Sequence, residues 1–240
     1  MDSLKEKTAL ITGASSGVGR AIALELAALG ALVLLVARDP QKLRSVCDEI
    51  KATGAAAQSR SVDLTNDDAL QSFLTDCKKE FAGLDFVVHS AGLFRMEPMA
   101  SAPASDFDLL YRCNVRAPFV VTQALLPLVI ARSGAIAFIN STSGATTHAN
   151  VGQYAATKFA LKAIADTLRL EMNAHRVRVL SVMLGRTATP MQEEVCRLEG
   201  SVYDASKFLQ PADVARAVVY ALTLPASAEV TDLYLRPARK

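Results

Sequence analysis

A tyrosine and a lysine lie four residues apart in the segment YAATK, Tyr154 to Lys158. The apolar residues that follow, Leu161, Ile164 and Leu168, recur at helical spacing, which predicts an amphipathic helix with the phenol and the ammonium on one face. A nearby ammonium favours the phenolate, so such a pair could serve in acid–base chemistry. Taken alone, the pair is also explained by an exposed tyrosine and a solvated lysine.

A glycine-rich turn, TGASSGVG, spans residues 12–19 between a strand-like run and a helical pattern. Gly13, Gly17 and Gly19 would permit a tight turn and a close approach of the backbone to a ligand. The free N–H groups and the positive dipole end of the following helix favour a pyrophosphate. The turn is therefore predicted to bind a nucleotide.

The same turn also matches G-x-S-x-G, the pattern of a hydrolase nucleophile, with Ser15 as its serine. Such an enzyme needs an acid and then a histidine downstream of the serine. None of the three histidines lies in the last quarter of the chain: His89, His148 and His175. A nucleophile at residue 15 also leaves no earlier strand to supply an oxyanion hole, so a serine hydrolase is the weaker interpretation.

The elements that must position these residues alternate along the chain. Short apolar runs are separated by longer helical patterns, which predicts a parallel sheet covered by helices on both faces. We expect an α/β fold in which residues 1–240 form a single domain, a Rossmann-like, doubly wound parallel sheet of about seven strands. Strands are predicted at 8–12, 31–37, 58–62, 84–90, 135–141, 178–184 and 230–235, and helices near 17–29, 40–53, 66–82, 105–132, 151–174 and 211–224.

Composition and charge argue against several classes of partner. The formal net charge is only +2, so neither a nucleic acid nor an anionic membrane is expected. The four cysteines are scattered and form no C-x-x-C pair, which suggests neither a disulfide framework nor a metal site. The N-terminal sequence MDSLKEKTALIT is too polar for a signal peptide. We expect a cytoplasmic protein without a membrane span.

Several motifs follow one another in an order that resembles the short-chain dehydrogenase/reductase family, from about Lys7 to the last strand. They are the glycine turn, Asp63 after the third strand, HSAG at 89–92, Asn114, Ser141 and YAATK. Ser141 lies 13 residues before Tyr154, as in the family's pattern. Each motif alone is weak, but the whole set in order is specific. The resemblance implies an oxidoreductase that moves hydride between a nicotinamide cofactor and a carbonyl compound or secondary alcohol.

The resemblance also implies a catalytic set of four residues. Tyr154 would be the general acid or base at the substrate oxygen, and Ser141 would polarise the same oxygen. Lys158 would lower the pKa of Tyr154 and hydrogen-bond the nicotinamide ribose. Asn114 would hold a water that connects the lysine to bulk solvent. The alternative from another class is a regulatory protein that binds a dinucleotide without turnover.

The end of the second strand bears on the choice of cofactor. An NAD enzyme usually has an acid where this chain has Ala37, and the next residue is Arg38, whose guanidinium suits a 2′-phosphate. NADP(H) is therefore expected to be preferred over NAD(H), the alternative being a solvated Arg38 paired with Asp39. Besides Tyr154 and Lys158, the expected cofactor contacts are Gly13, Ser15, Ser16, Gly17, Val18, Gly19, Arg38, Asp63, Leu64, Ser90, Ala91, Gly92, Gly185, Thr187 and Thr189.

Two strand ends depart from the family pattern. Ser90 replaces the asparagine of the usual N-A-G, and His89 before it is predicted to be a packed strand residue. Leu184 replaces the proline that usually precedes Gly185, which frees the turn beside the nicotinamide.

Residues 93–104 and 185–209 are expected to frame a small-molecule substrate, because loops after strands usually carry specificity. Thr146, Thr147 and His148 are also placed to touch it. Arg95 and Arg186 would suit an anionic substrate, although ordinary surface arginines are the favoured interpretation. The sequence does not identify the substrate.

A homodimer or homotetramer is expected, since family members commonly pair through the helices that hold Asn114 and Tyr154. Apolar residues on more than one side of the predicted helix at 105–132 support this expectation: Leu109, Leu110, Phe119, Val120, Leu125, Leu126 and Val129.

Overall fold

The computed structural model describes residues 3–238 and contains one sheet of parallel strands. The strands are β1 (Thr8–Thr12), β2 (Leu32–Ala37), β3 (Ala57–Ser61), β4 (Phe86–His89), β5 (Ala135–Ser141), β6 (Arg178–Leu184) and β7 (Asp232–Leu235). Their order is β3-β2-β1-β4-β5-β6-β7, so the winding direction reverses between β1 and β4. This is the Rossmann-like, doubly wound sheet that the sequence predicts.

Helices connect the strands on both sides of the sheet. They are α1 (Gly17–Ala28), α2 (Pro40–Ala52), α3 (Asp67–Glu80), α4 (Ala104–Tyr111), α5 (Ala117–Ile130), α6 (Gly152–Met172), α7 (Pro190–Leu198) and α8 (Pro211–Leu222). The apolar stripes of α1, α2 and α8 pack on one face, and those of α3, α5 and α6 pack on the other. Along β1, Ala9 and Ile11 belong to the first layer and Leu10 to the second, as alternation along a strand requires.

The long helix predicted at 105–132 is present as one continuous helical run, Ala104–Ile130. A π-helical turn, Arg112–Arg116, joins α4 to α5 and contains the predicted site residue Asn114. By length and composition the whole segment Ala104–Ile130 could cross a membrane, yet half of its most apolar window is buried. Its residues Val121 and Leu125 pack in the second layer, which is typical of a core helix.

Helix α7 was not predicted. Its N-cap Thr189 accepts a hydrogen bond from a first-turn N–H, and Pro190 opens its first turn. The segment that carries α7 begins after Thr187 and ends at Leu209, and these two residues form an isolated parallel bridge. Backbone hydrogen bonds of 2.8 and 3.0 Å flank the bridge. The segment therefore has its two ends fixed to each other.

The carboxyl ends of the central strands bring the predicted site residues to one edge of the sheet. Gly13 follows β1, Ser90 follows β4, Ser141 ends β5 and Gly185 follows β6. Because β1 and β4 are neighbours at the reversal of strand order, a crevice opens there.

Candidate active site

The glycine turn after β1 lies directly against the turn after β4. Gly13 has a φ of +68°, and a Cβ atom there would lie 2.7 Å from the backbone N of Ala91 and from the backbone O of Ser90. Thr12 joins the two turns, because its Oγ1 accepts hydrogen bonds from the N–H groups of Ser90 and Ala91 at 3.1 and 3.2 Å. Only glycine fits this crowded, left-handed position, so bare backbone forms the floor of the crevice.

The first turn of α1 keeps its backbone donors free. Within the described residues, Ser16 at the N-cap makes no side-chain capping hydrogen bond, and no acidic residue occupies the first turn. In α2 and α3, by contrast, Asp39 and Asn66 accept hydrogen bonds from first-turn N–H groups. The N-terminus of α1 thus presents unpaired N–H groups and a positive dipole end, which fit a phosphate.

A cleft of about 900 Å³ runs along this edge of the sheet. Ser141, Tyr154 and Lys158 line it, so three of the four predicted catalytic residues come together. All the other predicted cofactor contacts line the same cleft: Gly13, Ser15, Ser16, Gly17, Val18, Gly19, Arg38, Asp63, Leu64, Ser90, Ala91, Gly92, Gly185, Thr187 and Thr189. An elongated cleft with this lining fits a dinucleotide with a small molecule beside it.

Arg38 and Lys42 line the part of the cleft beyond the end of β2, and Arg38 is exposed. Asp39 accepts hydrogen bonds at 3.0 Å from the N–H groups of Gln41 and Lys42, and so caps α2. Its carboxylate lies 3.8 Å from the Lys42 Nζ and forms no ion pair with Arg38. The Arg38–Asp39 pair is therefore not formed, and sequence reasoning missed Lys42 as a second cation in the cleft wall.

Asp63 is held by its own loop. Burial raises the pKa of Asp63, but hydrogen bonds from the Oγ1 and N–H of Thr65, at 2.7 and 2.9 Å, together with the charge of Arg38, hold that pKa below its ordinary value. Asp63 is thus ionised at neutral pH, and its carboxylate is committed to shaping the turn that presents Leu64 to the cleft.

Tyr154 and Lys158 lie in the first two turns of α6 and are buried. The Lys158 Nζ is 5.6 Å from the centre of the Tyr154 ring and donates a hydrogen bond to the backbone O of Ile139 at 3.2 Å. The ring of Phe94 packs edge-on against Tyr154, with centroids 4.9 Å apart. The helical spacing read from the sequence therefore does bring the phenol and the ammonium together.

The pKa of Tyr154 moves opposite to the expected direction. Burial raises the pKa of Tyr154 to about 12, and the nearby Ser141 hydroxyl opposes this rise only in part. Burial also lowers the pKa of Lys158 to about 8. In both residues the loss of water on burial penalises the charged form and sets the direction of the pKa change. Tyr154 is accordingly a neutral phenol at physiological pH. The lowering of the tyrosine pKa by Lys158 stays a prediction.

Asn140 positions the serine relative to the tyrosine helix, and sequence reasoning missed it. Its Oδ1 accepts a hydrogen bond from the N–H of Ser141 at 2.8 Å, and its Nδ2 donates to the backbone O of Lys158 at 3.1 Å. The Ser141 Oγ accepts a hydrogen bond from the N–H of Ser143 at 3.1 Å. The buried amide of Asn140 therefore ties the end of β5 to α6. Its only sequence signal was its place beside the serine.

Asn114 does not line the cleft with the other predicted catalytic residues. Its Oδ1 accepts a hydrogen bond from the N–H of Leu93 at 2.8 Å, and its Nδ2 donates to the Leu93 O at 2.9 Å and to the Thr157 Oγ1 at 3.1 Å. The amide thus anchors the start of segment 93–104 to α6. The water-holding role of Asn114 stays a prediction.

Beyond Tyr154, the cleft is walled by the two segments that the sequence indicated and by the start of α6. Segment 93–104 contributes Leu93 and Phe94 to this wall, and Val151, directly before α6, also lines the cleft. Helix α7 contributes Met191 and Val195. Of the residues at 146–148, His148 lines the cleft.

Both arginines that sequence reasoning weighed for an anionic substrate are paired. Arg186 forms an ion pair with Glu199, which also lines the cleft. Arg95 lies 3.5 Å from a carboxylate oxygen of Asp106. Neither guanidinium is therefore free.

The unusual residues at two strand ends are packed into the sheet. His89 is buried with its Nε2 at 2.8 Å from the Thr122 Oγ1, and burial lowers the pKa of His89 to about 3, so its ring is neutral. This confirms the prediction that His89 is a packed residue of the strand. Leu184 is buried at the end of β6, and the N–H of Gly185 donates to the Leu235 O at 2.8 Å, which fixes the turn without proline.

The chain matches a known family over most of its length. The family model described as short chain dehydrogenase matches residues 7–200. An uncharacterised oxidoreductase of Staphylococcus epidermidis is 34% identical over 238 residues, covering 99% of this chain and 100% of that protein.

Solved structures match it in the same way. A metagenomic short-chain oxidoreductase in complex with NADP is 32% identical, with a TM-score of 0.85, over 99% of this chain and 100% of that one. A short chain dehydrogenase from Shigella flexneri, complexed with NADP, is 33% identical, with a TM-score of 0.88, over 97% and 98% of the two chains.

Proposed function

Because this chain belongs to the short-chain dehydrogenase/reductase family of oxidoreductases, we propose that it transfers a hydride between NADP(H) and a carbonyl compound or secondary alcohol. The observation that carries the proposal is the meeting of Ser141, Tyr154 and Lys158 in one cleft with the uncapped N-terminus of α1. A phosphate site beside an acid–base group is the combination that this chemistry requires.

Each residue has a proposed task at a stated atom. The nicotinamide, when bound, supplies or accepts the hydride. In reduction, the Tyr154 hydroxyl gives its proton to the substrate oxygen, while the Ser141 Oγ–H hydrogen-bonds the same oxygen and stabilises the charge that develops there. The Lys158 ammonium, when charged, stabilises the phenolate that remains. Asn140 and Asn114 hold β5 and segment 93–104 in position, and the further proposed task of Asn114 is to hold a water that connects Lys158 to bulk solvent.

The protonation state of Tyr154 differs between the two directions of the reaction. A tyrosine with a pKa of about 12 is a proton donor at neutral pH and a poor acceptor. Carbonyl reduction needs the donor form, whereas alcohol oxidation needs the phenolate. We therefore propose that Tyr154 is the proton donor in carbonyl reduction, and that alcohol oxidation at the same site begins from its phenolate.

Preference for NADP(H) is supported by the charges at the end of β2. Ala37 has no carboxylate that could accept hydrogen bonds from the ribose hydroxyls or repel a 2′-phosphate. Arg38 has no carboxylate partner among residues 3–238, and Lys42 lines the same wall of the cleft. A free guanidinium beside an ammonium suits a 2′-phosphate. The bound NADP of the two related structures agrees with this preference.

The alternatives are weaker. A regulatory binder would have no use for Lys158, whose burial is costly to an ammonium. The hydrolase interpretation is wrong, since the chain belongs to an oxidoreductase family. His89, one of its candidate histidines, is hydrogen-bonded to Thr122 of α5 in the interior.

We further propose that the protein is cytoplasmic and assembles as a homodimer or homotetramer. Leu110, Leu125 and Val129 of the long helix pair are buried in the chain itself. Phe119 of α5 and Phe159 of α6, however, are 48% and 45% exposed. Burial of these rings against a second copy of the chain would stabilise a dimer. A particle of 25.6 kDa in light scattering at micromolar concentration would contradict the assembly.

The function is tested with a panel of ketones, aldehydes and secondary alcohols supplied with each cofactor. Reduced nicotinamide absorbance reports turnover, and calorimetry reports cofactor binding separately. We expect NADPH-dependent reduction of at least one class of ketone. Tight NADPH binding with no turnover of any compound in either direction would contradict the proposed function.

A further inference from the structure

The two ends of the cleft differ in the state of their charges. The nucleotide end is the part lined by Arg38, Lys42 and the first turn of α1, and the substrate end is the part lined by Phe94, Val151, Met191 and Val195. Arg186 and Glu199 are the charged residues of segment 185–209 that line the cleft within the described chain, and they are paired with each other. The Arg186 guanidinium also lies 5.8 Å from the centre of the Phe208 ring. Among residues 3–238, the substrate end therefore presents no unpaired lysine or arginine from segment 185–209, and His148 is the histidine that lines the cleft.

Helix α7 gives the substrate end an apolar wall. Met191 and Val195 are four residues apart, so they project on one face of α7, and both line the cleft. Glu199 continues the same stripe just beyond the helix, where Arg186 neutralises it. Phe94 completes the wall by packing against the ring of Tyr154. A group attached to the reacting carbonyl would thus meet apolar side chains.

The polar side chains around α7 are already hydrogen-bonded within the protein. The Gln192 Nε2 donates to the Cys196 Sγ at 3.5 Å. The Thr189 Oγ1 donates to the Thr187 O at 3.2 Å and accepts from the Gln192 N–H, also at 3.2 Å. A hydroxyl group placed against Met191 and Val195 would therefore find no side-chain partner in those two residues, which disfavours a polyhydroxylated group at this position.

Resting on the proposed function, we propose that the substrate is a neutral carbonyl compound with an aryl or branched alkyl group beside the carbonyl, and that the Arg186–Glu199 ion pair rejects anionic substrates. The apolar group contacts Phe94, Met191 and Val195. In the reaction of a ketone, a hydride joins the carbonyl carbon and a proton from Tyr154 joins its oxygen, which gives a secondary alcohol and oxidised cofactor. A substrate carboxylate would meet Glu199 or would have to displace it from Arg186.

The test uses two aryl ketones that differ in charge, methyl 4-acetylbenzoate and 4-acetylbenzoate. With wild-type protein and NADPH, we expect kcat/KM for the ester to exceed that for the anion about tenfold or more, which corresponds to about 1.4 kcal/mol. Glu199→Gln keeps the size of the side chain and releases Arg186. It should narrow this ratio at least about threefold, mainly by lowering KM for the anion.

The control is Glu194→Gln. Glu194 pairs with Arg197 at 2.6 Å on the same helix but does not line the cleft. This variant should leave the ratio unchanged, and thermal unfolding of both variants checks that α7 remains folded. An equal ratio in the two variants would overturn the role of the ion pair. Wild-type protein that reduces the anion as well as the ester would overturn the assignment of a neutral substrate.

A binding measurement separates this inference from the proposed function. Calorimetry with Tyr154→Phe protein saturated with NADPH measures affinity for both ketones without turnover. Tighter binding of the ester supports the neutral, apolar site even where reduction fails, whereas absence of turnover in wild type counts against the reaction alone. Tighter binding of the anion, with turnover intact, contradicts the inference and leaves the reaction standing.

Discussion

Among the helices that begin at the cleft, α1 and α7 differ in their first turns. The N-terminus of α1 has no side-chain cap among the described residues, while α7 is capped by Thr189 and opens with Pro190. The first arrangement leaves donors for a charged ligand, whereas in the second Thr189 accepts a hydrogen bond from the N–H of Gln192 and Pro190 has no N–H. We propose that one cleft uses two modes of recognition: backbone and free charge at the nucleotide end, and apolar side chains with paired charge at the substrate end.

This contrast predicts that the two ends respond to different substitutions, and Tyr154→Phe gives the largest separation. Removing the phenolic proton donor should lower turnover by about 10²–10⁴-fold or more, while NADPH affinity changes little because the ring still packs. Tyr220→Phe, on the exposed face of α8, is the matched control. A Tyr154→Phe protein that keeps more than half of the wild-type activity would remove the phenol from the mechanism.

Arg38→Ala tests the nucleotide end alone. A hydrogen bond to a charged group is worth about 1.5–3 kcal/mol, so NADPH affinity should fall roughly 10- to 150-fold while NADH affinity hardly changes. Arg44→Ala, on an exposed position of α2 outside the cleft, should affect neither cofactor. Fluorescence titration of both cofactors decides the matter. Equal losses for the two would mean that Arg38 does not read the phosphate.

Gly13→Ala tests the backbone floor of the nucleotide end, with Gly54→Ala as its control. Both glycines have positive φ, but a Cβ at Gly54 meets nothing within 4 Å. Gly54→Ala should cost only the strain of a left-handed residue, about 1–2 kcal/mol. Gly13→Ala should cost about 1–3 kcal/mol more, because Ala91 and Ser90 must move. Urea unfolding measures both, and identical losses would show that the close approach at Gly13 is unimportant.

The pH dependence of ketone reduction should give the smallest effect. Lys158, with a pKa of about 8, is charged below that pH and loses its charge above it, whereas Tyr154 keeps its proton up to about pH 12. If the ammonium stabilises the phenolate, the rate with saturating NADPH should fall about tenfold between pH 7 and pH 9. A rate that rises over this interval would contradict the role of Lys158.

The nucleotide end was largely predictable because its signals are contiguous. The glycines of the turn, Gly13, Gly17 and Gly19, lie within seven residues of one another, and all three line the cleft as expected. The strands β5 and β6 occur at the predicted residues because their apolar runs have clear ends. The sequence alone could not show that Arg38 lacks an ion pair with Asp39. The structure shows it, because the Asp39 carboxylate caps α2 instead.

The substrate end resisted prediction because its properties arise from distant segments. Segment 185–209 mixes apolar and charged residues, although Thr189 and Pro190 followed by Glu193 were an available signal for the start of α7. The pKa of Tyr154 depends on burial, which no local pattern reports. The π-helical turn at Asn114 likewise replaces α-helical geometry within a run whose apolar spacing reads as one continuous α-helix.

The bridge between Thr187 and Leu209 makes the segment that carries α7 a structural unit that can be replaced as a whole. Since its ends are already held together, replacing the residues between them leaves β6 and α8 where they are. The entropic cost of closing a loop grows only slowly with its length, so inserts of different size can share the same two ends. A new substrate preference could thus arise by recombination of one short stretch of chain, with the sheet, the glycine turn and the proton donor inherited unchanged.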